Sequence, residues 1–84
     1  MVGYTETKAT PDEVRRASLS FGGTVKRTRT VLGLSAEELA ERVGISKSTM
    51  YRIENGTLPP TFPRVISLAK SLRVHPSSLL KNIK

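Results

Sequence analysis

An all-α fold of five or six short helices is predicted by three features of this 84-residue chain. Helix-start signals recur along it, at Thr10-Pro11-Asp12-Glu13, at Ser35-Ala36-Glu37-Glu38 and at Thr61-Phe62-Pro63. Each joins a hydroxyl that can bond orphan amides to a proline or glutamate in the first turn. Between these signals, apolar residues return at the three- and four-residue spacing of a single helix face. No stretch alternates apolar and polar residues as a half-buried strand does.

Residues 1–9 are polar and unpatterned and read as an arm. Thr10 as cap and Pro11 at the first helical position predict a helix to about Ser20, with Val14, Ala17 and Phe21 at helical spacing. Gly22-Gly23 is expected to kink or break it, since each glycine costs about 1 kcal/mol relative to alanine inside a helix. Helical patterning resumes at Thr24, with Val25, Thr28, Arg29 and Leu32 on one face and Gly33 as the stop. The Ser35 capping box starts a helix that buries Leu39, Ala40 and Val43 and ends at Gly44. Ser46 caps the next, whose inward face is Met50 and Ile53; Asn55-Gly56 closes it, because both residues tolerate the left-handed conformation.

Thr57 to Pro60 is a turn, and Phe62 just beyond it is expected to pack back on the core. Thr61 caps a helix in which Val65, Leu68, Ala69 and Leu72 repeat at helical spacing, and Pro63 is tolerated only in its first turn. Pro76 opens a last short helix bearing Leu79, Leu80 and Ile83, which serve either the core or a two-fold contact. The expected organisation is an arm and short helix over residues 1–20 and one compact domain over residues 21–84. The extra helix is free to cover the core, join a dimer interface or bind another protein.

Composition excludes several function classes. The chain has no cysteine and a single histidine, His75, so no disulfide, thiolate zinc site or cysteine nucleophile is expected, nor any metal or cofactor. His75 precedes Pro76 with no acid or nucleophile beside it, which suits a loop or cap. There is no paired-carboxylate cleft, no Ser-His-Asp set and no glycine-rich loop after a strand, so no enzyme is expected. No apolar run suits a signal peptide or a membrane span, which predicts a cytoplasmic protein without a membrane partner. At this length no separate sensor domain is expected either.

Charge points the other way. Fourteen Lys and Arg face seven Asp and Glu, a net +7, and residues 1–19 sum to zero. The whole surplus lies in residues 20–84, where eleven bases meet four acids. Such a body attracts a polyanion, nucleic acid before an acidic membrane.

The stretch from Leu39 to Ile53 shows how nucleic acid would be met. Ala40 is small enough for two helices to cross closely, and Gly44 is free to take the positive φ of a tight turn. Met50 and Ile53 return the second helix onto the first, as in a helix-turn-helix. On a helical wheel centred on Met50, Ser48, Arg52 and Asn55 fall roughly 140° to 200° away, opposite the core. Lys47 sits at the exposed amino-terminal end of the same helix. Arg or Lys can address guanine O6 and N7 in the major groove, and Ser can serve either partner. Tyr51, on the flank, suits a sugar-phosphate contact or edge packing equally.

These stretches resemble the lambda-repressor-like, Cro/C1-type helix-turn-helix family of bacterial and phage regulators, also called XRE. The resemblance spans residues 21–80. It is carried by Gly33-Leu34-Ser35-Ala36-Glu37-Glu38-Leu39-Ala40, Gly44-Ile45-Ser46-Lys47-Ser48-Thr49, Arg52-Ile53-Glu54-Asn55-Gly56 and Leu68-Ala69-Lys70-Ser71-Leu72. It implies a compact five-helix domain with the recognition helix from about Ser46 to Glu54. Lys47, Ser48 and Arg52 match base-reading positions. Ser46, Asn55 and the backbone amides near Ser35 and Ala36 match phosphate-contacting positions, and Thr49 lies within reach of a phosphate. Arg64 is a further phosphate candidate on charge and position alone. Arg29 and Glu54 match a frequent interhelical salt bridge, the alternative being two independent surface charges. Ala36 departs from the family, which usually has a glutamine there that reaches a phosphate and braces the recognition helix.

The implied function is sequence-specific binding of double-stranded DNA by a transcriptional regulator, a homodimeric repressor on a pseudo-palindromic operator. The alternative is an antitoxin or adaptor of the same fold whose main ligand is a protein, engaged through the amino-terminal helix.

Overall fold

The computed structural model describes residues 7–83, and among them the protein is entirely helical apart from its turns. The helices are α1 (Pro11–Val31), α2 (Ala36–Val43), α3 (Lys47–Glu54), α4 (Phe62–Leu72) and α5 (Pro76–Leu80). The predicted arm lies mostly outside the described residues, which begin at residue 7.

The caps form where the hydroxyls stand. Thr10 Oγ1 accepts from the Glu13 amide at 3.1 Å while Glu13 Oε1 accepts from the Thr10 amide at 2.9 Å. Ser35 and Glu38 repeat this reciprocal pair at the start of α2, and Ser46 and Thr61 cap α3 and α4. His75 caps α5, its Nδ1 accepting from the Ser77 amide at 3.1 Å. These bonds use amides that no helical carbonyl can reach.

The predicted break at Gly22-Gly23 does not occur, and α1 runs unbroken from Pro11 to Val31. Packing explains the two glycines. Gly22 is buried against the end of α3, where a Cβ would stand 2.2 Å from the Ile53 carbonyl oxygen and 2.7 Å from that of Glu54. The missing side chain lets two helix backbones touch, and that contact offsets the propensity lost. Gly56, at φ +79°, also sits against backbone, since a Cβ there would lie 2.8 Å from Leu19 Cα.

The core gathers Phe21 and Val25 from α1, Ala36, Leu39 and Ala40 from α2, and Met50 and Ile53 from α3. Val65, Leu68, Ala69 and Leu72 of α4 and Leu79 of α5 complete it. The predicted inward faces of α2, α3 and α4 are the observed ones. Two expectations for the core fail. Leu32 is exposed, because α1 ends there and Leu34 turns inward in its place. Phe62 is 77% exposed and points away from the core, while Leu58 from the preceding turn packs against it. Asn55-Gly56 closes α3 as expected, with Asn55 as the cap at φ −93° and Gly56 taking the left-handed conformation. The last apolar trio divides, with Leu79 buried, Ile83 packed on the core and Leu80 exposed.

Candidate nucleic-acid interface

α2 and α3 pack against each other across a tight turn. Gly44 caps α2 at φ +80°, and the Gly44 and Ile45 amides both donate back to the Ala40 carbonyl, at 2.9 and 3.0 Å. Ala40 is buried at the crossing, and Met50 and Ile53 pin the inner face of α3 with no exposed surface. The outer face of α3 is therefore determined by its core contacts: Lys47, Ser48, Arg52 and Asn55 are all exposed. No acidic residue lies in the first turn of α3, so its amino-terminal dipole adds to the Lys47 charge instead of opposing it.

A bidentate ion pair fixes the far end of this helix. Arg29 Nε donates to Glu54 Oε2 at 2.6 Å and Nη2 to Oε1 at 2.9 Å. Their side chains are only 14% and 6% exposed, and Arg29 Nη1 also reaches the Leu34 carbonyl at 3.1 Å. The hydrogen bond to Glu54 pushes the Arg29 pKa up. The two charges thus form one bridge from the end of α1 to the end of α3.

The phosphate candidates differ in what they have left to offer. The Ser35 amide already donates to Glu38 Oε1 at 3.0 Å. Ala36 is buried as a whole residue, at 3% exposure with its methyl in the core, so it offers a phosphate no side-chain donor and only an amide for which the helix supplies no acceptor. Ser46 Oγ accepts from the Thr49 amide at 3.0 Å and donates to Thr49 Oγ1 at 2.8 Å, which leaves the Thr49 hydroxyl hydrogen as a donor. Asn55 Oδ1 accepts from the amide and hydroxyl of Thr57, at 3.1 and 2.7 Å, leaving the Asn55 amide nitrogen to donate outward. Arg64 is half-buried in the first turn of α4, where the Thr61 cap holds its backbone.

One contact was not foreseen from the sequence. The Tyr51 hydroxyl donates to Glu37 Oε2 at 2.8 Å, joining the outer edges of α2 and α3. It lowers the Glu37 pKa, with a smaller contribution from Lys47, and raises that of Tyr51. Positions 37 and 51 belong to different helices, and only the crossing brings them together. No group of three or more His, Cys, Asp or Glu side chains that could hold a metal occurs among the described residues, and no described helix is long and apolar enough to cross a membrane.

Comparison with known proteins places this arrangement. Residues 20–80 match the model of a helix-turn-helix domain family. An uncharacterised HTH-type transcriptional regulator of Methanothermobacter thermautotrophicus is 38% identical over 48 residues, which cover 57% of this chain and 70% of that protein. The crystal structure of the restriction-modification controller protein C.AhdI of Aeromonas hydrophila superposes with a TM-score of 0.72 at 31% identity, covering 74% of this chain and 94% of that one. An HTH_3 family transcriptional regulator of Vibrio cholerae gives a TM-score of 0.75 at 26% identity over 82% of this chain, which spans only 39% of that longer protein.

Proposed function

Since this chain belongs to the XRE-like helix-turn-helix family of DNA-binding transcriptional regulators, we propose that it is a repressor that binds a pseudo-palindromic operator as a homodimer. The observation that carries this reading is the α3 surface. Its apolar side is sealed by Met50 and Ile53, while Lys47, Ser48 and Arg52 on the other side are exposed, with no described residue folded over them. A helix of this width enters the major groove of B-DNA, where these three side chains read base edges. Ser35, Ala36, Ser46, Thr49, Asn55 and Arg64 then set the register through phosphates, by hydroxyl, amide or guanidinium donors. Residues 21–84 form the DNA-binding unit. The protein works in the cytoplasm and occludes promoters without chemistry of its own.

Dimerisation is supported by apolar surface that the monomer leaves open. Phe62 and Ile66 stand one turn apart on the flank of α4, 77% and 39% exposed, and Leu80 on the adjacent α5 is 42% exposed. For two copies to read adjacent half-sites, such a two-fold contact has to set their α3 helices about 34 Å apart, one turn of DNA. Phe62→Ser is expected to shift the protein to monomers in sedimentation and to weaken palindromic DNA far more than a half-site.

Selection from a randomised duplex library at two salt concentrations tests the reading. Wild type is expected to enrich a pseudo-palindrome, with log affinity falling linearly against log salt. Arg52→Ala should lose discrimination of about 1–3 kcal/mol at one base position. Arg64→Ala should weaken every sequence alike and flatten the salt slope by about one. Enrichment of no sequence would refute the base-reading role of α3.

A second reading, an antitoxin or adaptor with a protein ligand, is favoured by one feature. A groove of about 700 Å³ runs between the first half of α1 and the turn after α3, lined by Pro11, Val14, Leu19, Gly56 and Pro59 among others. Leu19 is 57% exposed there, so the amino-terminal helix carries apolar surface suited to a protein partner.

A further inference from the structure

Glu37 stands where a carboxylate is out of place beside DNA. It is the second residue of α2, in the turn whose amides are assigned to a phosphate, and it is exposed. Tyr51 reaches across from α3 and pins it by the 2.8 Å hydrogen bond to Oε2. Lys47 lies one turn before Tyr51 on the same stripe of α3, close enough to favour the charged carboxylate. Glu37 and Lys47 thus stand near each other on one exposed surface, an acceptor and a donor, with the carboxylate held by Tyr51.

A carboxylate only accepts hydrogen bonds, so phosphates and base carbonyls have nothing to give it. In the major groove the available donors are the amino groups of cytosine N4 and adenine N6, and carboxylates pair with the cytosine amine. The same base pair presents guanine O6 and N7 beside that amine, and these match a lysine. We infer that Glu37 reads the cytosine of a C·G pair in the operator, that Lys47 addresses its guanine, and that Tyr51 is the positioning residue that aims the carboxylate. This inference rests on the groove-reading role of α3 and adds to it a fourth side chain, from α2, with a stated base preference.

The test is the same library selection with the full chain, its Glu37→Ala, Glu37→Gln and Tyr51→Phe variants, and Arg52→Ala alongside, each also titrated with one random-sequence duplex. Glu37→Ala and Glu37→Gln should lose roughly 5- to 150-fold discrimination at a single C·G position. Affinity for the random duplex should hold or rise, because a negative charge has gone. Tyr51→Phe should lose part of the preference at that same position, with an unchanged melting midpoint and every other position intact. A uniform change in affinity for all sequences in the Glu37 variants would overturn the inference, leaving Glu37 a repulsive charge only. Arg52→Ala losing specificity while the Glu37 variants keep theirs would overturn it alone, whereas a wild-type protein that selects no sequence would remove the α3 reading with it.

Discussion

Glu54→Ala is expected to destabilise the protein by about 3–5 kcal/mol, against a few tenths for Glu41→Ala. The contrast follows from surroundings rather than from charge. Glu41 is exposed on α2, where a carboxylate is solvated with or without a partner. Glu54 is nearly enclosed, and its two oxygens take two of the hydrogen bonds of an Arg29 that is itself mostly buried. Removing the carboxylate leaves a guanidinium desolvated with only the Leu34 carbonyl for company. In a domain of this size such a loss shifts the melting midpoint by ten degrees or more. Thermal denaturation of Arg29→Ala, Glu54→Ala and the double variant checks it. Because either single change strands the other charge, the double variant should be less destabilised than the sum of the two. Strict additivity would mean the side chains act independently.

Gly22→Ala is also expected to destabilise the protein, although alanine is the better helix former by about 1 kcal/mol. The new methyl would sit 2.2 Å from the Ile53 carbonyl oxygen, and the obstacle is backbone, which has no rotamer to change. α1 must slide away from the end of α3 or the last turn of α3 must open, and overpacking of this kind costs about 1–3 kcal/mol or more. Gly23→Ala is the matched control. A Cβ there meets only the Arg27 guanidinium, at 3.3 Å, so the propensity gain should prevail and the variant should be neutral or slightly stabilised. Chemical denaturation of the pair gives opposite signs if α1 and α3 touch through Gly22. Since that contact also sets the attitude of α3, Gly22→Ala should weaken DNA binding even where it remains folded.

Much of the fold was legible because local chemistry and global packing agree. Thr10, Ser35, Ser46 and Thr61 cap helices in the sequence and in the structure, and the inward residues of α2, α3 and α4 are those their spacing selects. Gly22 misled because propensity sees the helix alone, whereas the glycine answers to a neighbouring helix 31 residues further along the chain. Phe62 misled because hydrophobicity does not say which apolar residues of a turn reach the core; Leu58 does so here and Phe62 does not. The exposed face of α3 could be drawn from a helical wheel, since Met50 and Ile53 determine its rotation. The bond from Tyr51 to Glu37 could not, because it depends on the angle at which α2 and α3 cross. The use of the Ser35 amide by Glu38 was implicit in the capping box, and it leaves that amide already engaged within the protein.

Guanine N7 methylation interference on the selected duplex addresses the role of α3 most directly, because the methyl group projects into the major groove and nowhere else. Wild-type protein is expected to be blocked by methylation of at least one guanine in each half-site, and Arg52→Ala to become indifferent to one of those positions. Binding of wild type to the fully N7-methylated duplex with undiminished affinity would mean that Lys47, Ser48 and Arg52 do not enter the groove.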